Sequence, residues 1–265
     1  MTAALATHAG AVVIPGELSR GPWDPGACHG GPVAALLARA IEGTVGGGVD
    51  WQVSRMTVEL TRPVPLAPLR VATEVVRPGK KVSLVEATLL RDEDGVEVAR
   101  ARALRIRRAD VDLPDDPLVR PEPPFGPPGQ GVPDRPMWTD DGLVIHLDAV
   151  ELRFAEGRFS TLGPVAVWIR LSVPVVAGEE PTGLQRAMAA ADFANGVSHV
   201  VPKEQYRFIN PDLTVHLARE PEGEWIGLRS ASLFGTEGAG FSDTALYDLH
   251  GRFGRATQSL ILERS

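Results

Sequence analysis

The sequence predicts an α+β fold made of two copies of one unit, in each of which an antiparallel sheet wraps around a single helix. Short motifs recur in the same order in both halves, each half places one helical segment before four strand-like runs, and a proline-rich segment separates the halves. A helix followed by four meandering strands can bury its apolar face only if the strands pack around it.

The repeat is visible in two pairs of motifs. TVELTR at residues 57–62 matches TVHLAR at 214–219 in four of six positions, at an offset of 157. LRDEDG at 90–95 matches LYDLHG at 246–251 in Leu, Asp and Gly, at an offset of 156. The common order and the nearly equal offsets indicate a duplication with one single-residue gap.

The first unit begins with a short predicted strand near AVVIPGEL and a helix at GPVAALLARAIE. Four alternating runs follow, WQVSRMTVELTRPV, LRVATEVVRP, KVSLVEATLLRD and VEVARARALRI, and the turn signals RPGKK and DEDG join the last three as hairpins. The helix carries on one face the apolar residues that an enclosing sheet would bury, Val33, Leu36, Leu37, Ala40 and Ile41.

The second unit repeats this order. VIHLDAVELRF and VAVWIRLSVPVV precede a helix near 182–196, and strands are predicted near 206–218, 224–234, 241–248 and 253–263. Both units therefore have the order of elements expected for a helix enclosed by an antiparallel sheet.

The segment between the units, residues 110–136, contains nine of the chain's 23 prolines. Proline fixes φ and lacks a backbone donor, so this segment can be neither a helix nor an inner strand. We therefore predict an N-terminal domain at residues 10–108, a linker at 109–141 and a C-terminal domain at 142–265.

The composition of the 265-residue chain is that of a globular protein, with 43% hydrophobic residues, 23% charged residues and a formal net charge of −7. This acidic balance argues against nucleic acid as a partner, because phosphate binding needs a concentrated face of Lys and Arg. No run reaches the roughly 18 apolar residues of a membrane span, and the start MTAALATHAG lacks the features of a signal peptide. We expect a cytoplasmic protein without a membrane segment.

An acid in the second helix is the most informative residue. Leu184, Met188 and Asp192 are spaced four apart, which places a carboxylate on the same helix stripe as two apolar side chains. Burial raises the proton affinity of such a carboxylate and would let it act as a base near neutral pH. The alternatives are an exposed acid, or a buried acid that Arg186 or a backbone group satisfies.

Two amides distinguish the second unit from the first. At the repeat offsets, Asn210 corresponds to Val53 and Gln258 to Arg102. Each amide offers donors and an acceptor, so an acid with two amides can hold and direct one water molecule. Each amide alone is equally typical of a turn or a surface position.

Two further segments are candidates for binding an anion. Gly30 and Gly31 lead into the first helix, whose free backbone N–H groups attract a phosphate or a developing oxyanion, although loop geometry alone would also explain them. Arg77, Lys80 and Lys81 lie together on the RPGKK turn. They could meet the phosphates of a large anionic cofactor, although most such clusters are simply solvated.

Other chemistry finds little support in the sequence. Cys28, the single cysteine, precedes His29, but neighbours in sequence usually point apart and no partner acid is evident. The other histidines show no metal-ligand spacing, and the chain lacks a Walker A motif and a G-x-S-x-G elbow. We expect neither a metal nor a cofactor.

Taken together, these features resemble the double hotdog acyl-CoA thioesterases of the acyl-CoA thioesterase II type. The resemblance covers residues 20–108 and 140–263, and rests on GACHGGPVAALLARA, VVRPGKKVSLVEATL, GVEVARARA, AAADFANG and ATQSLIL in that order. It implies a double hotdog fold, an acyl-CoA substrate and no cofactor. Because hotdog sheets join side by side, we also expect a homo-oligomer.

The resemblance also implies residue roles. In that family an Asp of the second hotdog helix, a hydroxyl residue on the following strand and a Gln on the last strand orient the water that hydrolyses the thioester. By position these are Asp192, Asn210 and Gln258, and Asn210 departs from the family's hydroxyl. Gly30 and Gly31 would donate backbone N–H groups to the oxyanion.

The resulting hypothesis is hydrolysis of an acyl-CoA thioester to a free acid and CoA. Because Asn210 replaces a hydroxyl residue, a non-catalytic acyl-CoA or lipid-binding protein with the same fold remains the alternative. A hydratase on this fold is disfavoured, because the residue five positions after Asp192 is Val197 rather than a histidine.

Overall fold

The structure is a computed structural model that describes residues 3–9, 12–44, 48–116, 120–135 and 144–264. Within these ranges it has the predicted α+β architecture, with 14 strands in one sheet and three α-helices inside its curve. The predicted domain boundaries at residues 10, 141 and 142 lie outside the described residues, and the division into domains stays a prediction.

The first half contains the helix and the strands that the sequence predicts. Its elements are β1 (Ala6–Ala9), β2 (Val12–Pro15), α1 (Gly30–Glu42), β3 (Trp51–Glu59), β4 (Leu69–Arg77), β5 (Val82–Arg91) and β6 (Glu97–Arg107). Helix α1 begins after its N-cap residue His29, and Pro32 lies in its first turn.

The second half differs from its prediction in three places. Its elements are β7 (Val132–Pro133), β8 (Val150–Glu156), β9 (Val165–Leu171), α2 (Gly183–Ala191), α3 (Ala194–Val197), β10 (Tyr206–Ile209), β11 (Asp212–Leu217), β12 (Trp225–Phe234), β13 (Ala239–Asp248) and β14 (Gly251–Arg264). The run before β8 starts as a π-helical turn, the predicted helix is interrupted after Ala191, and Asn210 and Pro211 divide one predicted strand into β10 and β11. Proline cannot donate to a ladder, which explains the last break.

One continuous antiparallel sheet joins the two halves. Its order is β1-β2-β4-β5-β6-β3-β11-β14-β13-β12-β9-β8-β7, and β10 pairs with β14. The halves meet where β3 pairs with β11, and Thr57 lies opposite Thr214 with their hydroxyl oxygens 3.1 Å apart. Because the repeat aligns these two threonines with each other, an approximate two-fold axis passes through this pair.

Helices α1 and α2 pack against each other inside the sheet. A Cβ atom on Gly31 would lie 2.6 Å from the backbone oxygen of Ala189, so the close approach of the helices requires glycine there. The apolar face predicted for α1 is buried, apart from the half-buried Ala40. Among the described residues, no helix is both long and apolar enough to cross a membrane.

Part of the predicted linker packs on the second half. Phe125 contacts the rings of Trp168 and Tyr247, and the Trp168 indole donates a 3.0 Å hydrogen bond to the backbone oxygen of Gly126. Strand β7 then adds to the edge of the sheet beside β8, where proline costs no ladder bond.

Candidate active site

Asp192 lies at the C-terminal end of α2 and points into the protein. The predicted stripe is confirmed, because Leu184, Met188 and Asp192 are all buried, and Asp192 is 4% exposed. Arg186 does not satisfy this acid, since it pairs with Glu180 instead. An inward carboxylate of this kind needs compensating donors.

The two predicted amides bind the carboxylate directly. Asn210 donates from Nδ2 to Oδ1 of Asp192 at 2.8 Å, and Gln258 donates from Nε2 to the same oxygen at 3.3 Å. The structure thus brings the three predicted residues together. The amide nitrogens are directed at the acid itself, and the expectation that the acid and the two amides share one water molecule stays a prediction.

Gln258 is fixed from its far side. It is 1% exposed, and its Oε1 accepts hydrogen bonds from the Ser242 hydroxyl at 2.8 Å and from the backbone N–H of Asn195 at 3.1 Å. Because two donors define the amide oxygen, the nitrogen must face Asp192. Gln258 therefore orients Asp192 from behind and does not line the cavity described below.

From the sequence we paired Gln258 with Arg102 of the first unit, and this assignment was wrong by one residue. The β3–β6 ladder pairs Thr57 with Arg102, whereas the β11–β14 ladder pairs the equivalent Thr214 with Thr257. The counterpart of Gln258 is therefore the residue after Arg102, a fully buried alanine. A shift of one residue reverses the face of a strand, which is why Arg102 is exposed.

His29 is the residue that sequence reasoning missed. Its Nδ1 lies 2.9 Å from Oδ2 of Asp192 and 3.0 Å from the backbone nitrogen of Gly31. Nδ1 cannot accept from Gly31 and donate to Asp192 at once, and two lone pairs would repel at 2.9 Å, so a proton lies between imidazole and carboxylate. The partner acid comes from the other half of the chain, so no local signal could reveal it.

The net effect of these contacts is a carboxylate that stays charged. Burial is the largest single influence and raises the pKa of Asp192, but the adjacent His29, the amide of Asn210 and the backbone N–H of Gly31 together lower it below its ordinary 3.8. From the sequence we expected a raised pKa for Asp192. That expectation was wrong because it counted burial and not the donors.

Aromatic rings enclose the imidazole of His29. The ring centroids of His146 and Phe193 lie 4.7 Å and 4.8 Å from that of His29. Burial lowers the pKa of His146 well below 6.5, and the nearby His29 and Lys203 lower it further. His146 is therefore neutral and adds no second charge to the His29–Asp192 pair.

A cavity of about 470 Å³ opens beside this pair. Asp192, Asn210, His29 and Gly30 line one wall of it. Other lining residues are the apolar Trp23, Val33, Phe159, Phe193 and Phe208 and the basic Arg62, Lys203 and Arg207. The cavity combines a charged acid, apolar walls and cations, which suits a substrate with an apolar part and an anionic part.

The two glycines predicted to bind the substrate differ in position. Gly30 lines the cavity, and a Cβ atom there would lie 2.7 Å from Oδ2 of Asp192, so only glycine permits this contact. The N–H of Gly31 is directed at the His29–Asp192 pair. Of the two, only Gly30 is among the residues that line the cavity.

The predicted cation cluster lies elsewhere. Arg77, Lys80 and Lys81 are exposed at the turn between β4 and β5 and line no part of the cavity. This turn lies near the first residue of β3, whereas the cavity is lined by residues that follow the last residue of β3. The geometry gives these three cations no part in the cavity.

Cys28 is not a nucleophile in this arrangement. Burial raises the pKa of its thiol to about 12, so it stays protonated at neutral pH. Among the described residues, no group of three or more His, Cys, Asp and Glu side chains is placed to hold a metal ion.

Comparisons with known proteins identify the family of the chain. The family model of the acyl-CoA thioesterase N-terminal domain matches residues 19–106, and that of the acyl-CoA thioesterase C-terminal domain matches residues 114–262. The sequence has no significant match among curated proteins.

Solved structures share the fold over nearly the whole chain. A candidate thioesterase II from Thermobifida fusca YX superposes with a TM-score of 0.72 at 18% identity, covering 98% of this chain and 95% of that one. A hot dog fold protein from Alicyclobacillus acidocaldarius gives 0.69 at 16% identity, with coverages of 97% and 95%. The acyl-CoA thioesterase II TesB2 from Mycobacterium marinum gives 0.60 at 12% identity, with coverages of 98% and 94%.

The two family models together span most of the chain and follow each other in the order of the two repeated units. The structural likenesses extend the double hotdog architecture over both units. The chain therefore belongs to the acyl-CoA thioesterase family.

Proposed function

We propose that this protein hydrolyses acyl-CoA thioesters to the free acid and CoA. The observation that carries the proposal is the buried Asp192 carboxylate at the cavity wall, held by His29, Asn210 and Gln258. A charged acid that three donors fix beside a substrate-sized cavity is typical of acid–base catalysis. Family membership supports the same activity.

In the proposed mechanism, the His29–Asp192 pair activates a water molecule. Asp192 alone is a weak base because its pKa is lowered, but it holds one nitrogen of His29 by the 2.9 Å contact, as a carboxylate orients an imidazole in hydrolases. Water attacks the thioester carbonyl carbon while the pair accepts its proton. The carbon–sulfur bond then breaks, and the proton passes to the CoA thiolate.

The carbonyl oxygen gains negative charge during this attack. We propose the backbone N–H of Gly30 as its donor, because this is the first residue of α1 and it lines the cavity. A helix N-terminus stabilises an oxyanion through its free N–H groups and its dipole. Gly31 supports the same site indirectly, through its N–H at the His29–Asp192 pair.

The cations of the cavity are candidates for the anionic part of the substrate. Arg62, Lys203 and Arg207 line the cavity, and we propose them for CoA binding in place of the exposed turn at residues 77–81. The acyl group would pack against the apolar walls, where its burial is favourable. A cytoplasmic location and a role in lipid metabolism belong to the same proposal.

Release of free thiol from a series of acyl-CoAs of increasing chain length tests this function. Turnover on at least one acyl-CoA, saturating with substrate, is the expected result. Binding of acyl-CoA by calorimetry without thiol release at any chain length would instead favour the non-catalytic acyl-CoA-binding protein. If the protein neither hydrolyses nor binds any acyl-CoA of the series, both functions are contradicted.

A further inference from the structure

A second cavity lies at the position that the two-fold axis relates to the candidate active site. It measures about 310 Å³ and lies between the end of α1, the start of β3 and the start of α2. The candidate active site lies correspondingly between the end of α2, the segment before β11 and the start of α1. The two halves thus form two equivalent cavities.

Each cavity has a carboxylate at the end of one helix that contacts the N-cap of the other. Glu42, the last residue of α1, accepts hydrogen bonds from the hydroxyl of Thr182, the N-cap of α2, at 2.8 and 2.9 Å. Asp192, at the end of α2, contacts the N-cap His29 of α1 in the same way. The first helix therefore also ends in an acid that contacts the N-cap of the other helix, although Glu42 and Asp192 do not align at the repeat offsets.

The second cavity lacks the parts that would make it hydrolytic. Val53 stands where the other cavity has Asn210, and an alanine replaces Gln258, so neither of the two amides that hold Asp192 has a counterpart here. Thr182 replaces the imidazole of His29 at the N-cap. This arrangement can bind a ligand but lacks the imidazole–carboxylate pair proposed to activate water in the other cavity.

A buried arginine gives the second cavity its chemistry. Arg105 lines the cavity and is 4% exposed, and its guanidinium donates to the backbone oxygen of Thr44 at 3.0 Å and to the Ser83 hydroxyl at 3.2 Å. Among the described residues its Nε has no hydrogen-bond partner and no carboxylate pairs with it. Burial lowers the pKa of Arg105, so the charge is held at a cost.

The other charges of this cavity are already compensated. Arg108 pairs with Asp50 and Glu220 at the rim, and Glu42 is held by Thr182 and by the Gln185 amide at 3.0 Å. The uncharged lining residues are polar at Thr44 and Gln52 and apolar at Ile41, Val49, Trp51, Val53, Leu184 and Leu217. The Arg105 guanidinium lies over the Trp51 ring, 5.5 Å from its centroid, and has no carboxylate partner among the described residues. A buried guanidinium of this kind beside apolar side chains fits a monoanion with a hydrocarbon part, and the acidic rim disfavours a dianion.

We propose that this second cavity is a binding site for a small aliphatic carboxylate, whose carboxyl group pairs with the guanidinium of Arg105. The site is separate from the hydrolytic cavity and its occupation needs no turnover. Because a guanidinium binds a carboxylate by parallel hydrogen bonds, the site distinguishes an acid from a neutral molecule of the same shape.

Calorimetric titration of the full chain with octanoate tests this site, with octanamide as the neutral analogue and inorganic phosphate as an anion without a tail. Octanoate is expected to bind at least about tenfold more tightly than octanamide, and phosphate is expected not to compete. No heat of binding at millimolar octanoate would overturn the proposal.

Two variants test whether octanoate binds in the second cavity. Arg105→Gln removes the charge, and Val53→Phe fills the cavity while keeping the charge. Each should weaken octanoate binding at least about tenfold. Arg102→Gln is the matched control, because Arg102 lies on the same strand but faces solvent, and it should leave binding unchanged.

Two results would refute the location. One is octanoate binding that both Arg105→Gln and Val53→Phe leave intact while their circular dichroism remains that of the wild type. The other is equal loss in the Arg102→Gln control. Thioester hydrolysis by the same variants is measured in parallel and is expected to persist, so failure of this proposal is distinguishable from failure of the proposed function.

Discussion

At the scale of single residues, the charge of Asp192 is set by its donors and not by its burial. Asn210, Gln258, His29 and the backbone of Gly31 surround the carboxylate. Hydrogen bonds to the charged form of an acid lower its pKa, and here they outweigh the effect of burial. Asp192 is therefore already a charged carboxylate at neutral pH.

Removal of the Asn210 amide tests this balance. A hydrogen bond to a charged group is worth about 1.5–3 kcal/mol, so Asn210→Ala should lower kcat by about tenfold to hundredfold and raise the pKa of Asp192. The acidic limb of the pH–rate profile should then move to higher pH. Asn210→Thr keeps a donor and should recover most of the activity, whereas equal loss in both variants would contradict a donor role.

Lys203 at the cavity wall gives a pH-dependent prediction. Burial lowers its pKa to about 7 from 10.5, so between these values the unfolded chain binds more protons and stability rises with pH. The cost of the buried charge is fully present below pH 7. Lys203→Met should therefore raise the melting temperature more near pH 6 than near pH 9.

Thermal denaturation at both pH values checks this, with Lys81→Met as the control because Lys81 is exposed. A stabilisation by Lys203→Met that is the same at both pH values would contradict the assigned cause.

Only some of the site residues could be predicted from the sequence. The four-residue spacing of Leu184, Met188 and Asp192 is local, so it predicted the inward acid correctly. His29 could not be assigned, because its contact with Asp192 depends on how two helices from different halves pack. The depressed pKa was missed for the same reason, since its largest lowering influence is His29.

At the scale of elements, the approach of α1 to α2 determines the site. Glycines at the start of α1 let its first turn lie against the backbone of α2, which brings His29 and Gly30 to Asp192. Each element was largely predictable from its periodicity, because helix and strand patterns are local. The correspondence between strands of the two halves was not predictable. Glu86 pairs with Arg102 whereas its counterpart Asp243 pairs with Thr257, so the repeat offset changes across this hairpin, from 157 between residues 86 and 243 to 155 between residues 102 and 257.

Gly31→Ala tests the close approach of the helices. Its Cβ would lie 2.6 Å from the backbone oxygen of Ala189, which cannot give way without moving α2. We expect a destabilisation of roughly 1–3 kcal/mol in urea unfolding, together with reduced thiol release.

Gly129→Ala is the control for this substitution, because nothing lies within 4 Å of a Cβ atom at that position. It should change the free energy of unfolding by no more than about 0.5 kcal/mol. Equal effects of the two substitutions would show that helix contact is not the cause.

At the scale of the whole molecule, duplication supplies two cavities and the sequence differences assign them different chemistry. The repeat motifs predicted the two-fold arrangement, and Thr57 and Thr214 do lie opposite each other. The acid of the second cavity was not predictable, because Glu42 lies at the end of its helix and not on the apolar stripe.

The predicted homo-oligomer remains to be tested, and an exposed apolar patch suggests where copies would meet. Leu233 is 60% exposed and Phe241 is 47% exposed, and the two are direct cross-strand neighbours on β12 and β13. Light scattering should give a mass above that of one chain, and a Leu233→Glu/Phe241→Glu double variant should lower it.

Leu249→Glu, at an equally exposed turn position, is the control and should leave the mass unchanged. A wild-type mass equal to that of one chain would contradict the expected oligomer.

Asp192→Asn tests the central claim most directly. The amide has the shape of the acid but cannot accept the proton or hold His29 as a carboxylate does, so thiol release from the best acyl-CoA should fall about a thousandfold or more. Circular dichroism should be unchanged and acyl-CoA binding retained. Turnover within about tenfold of the wild type, in a folded variant, would contradict the account.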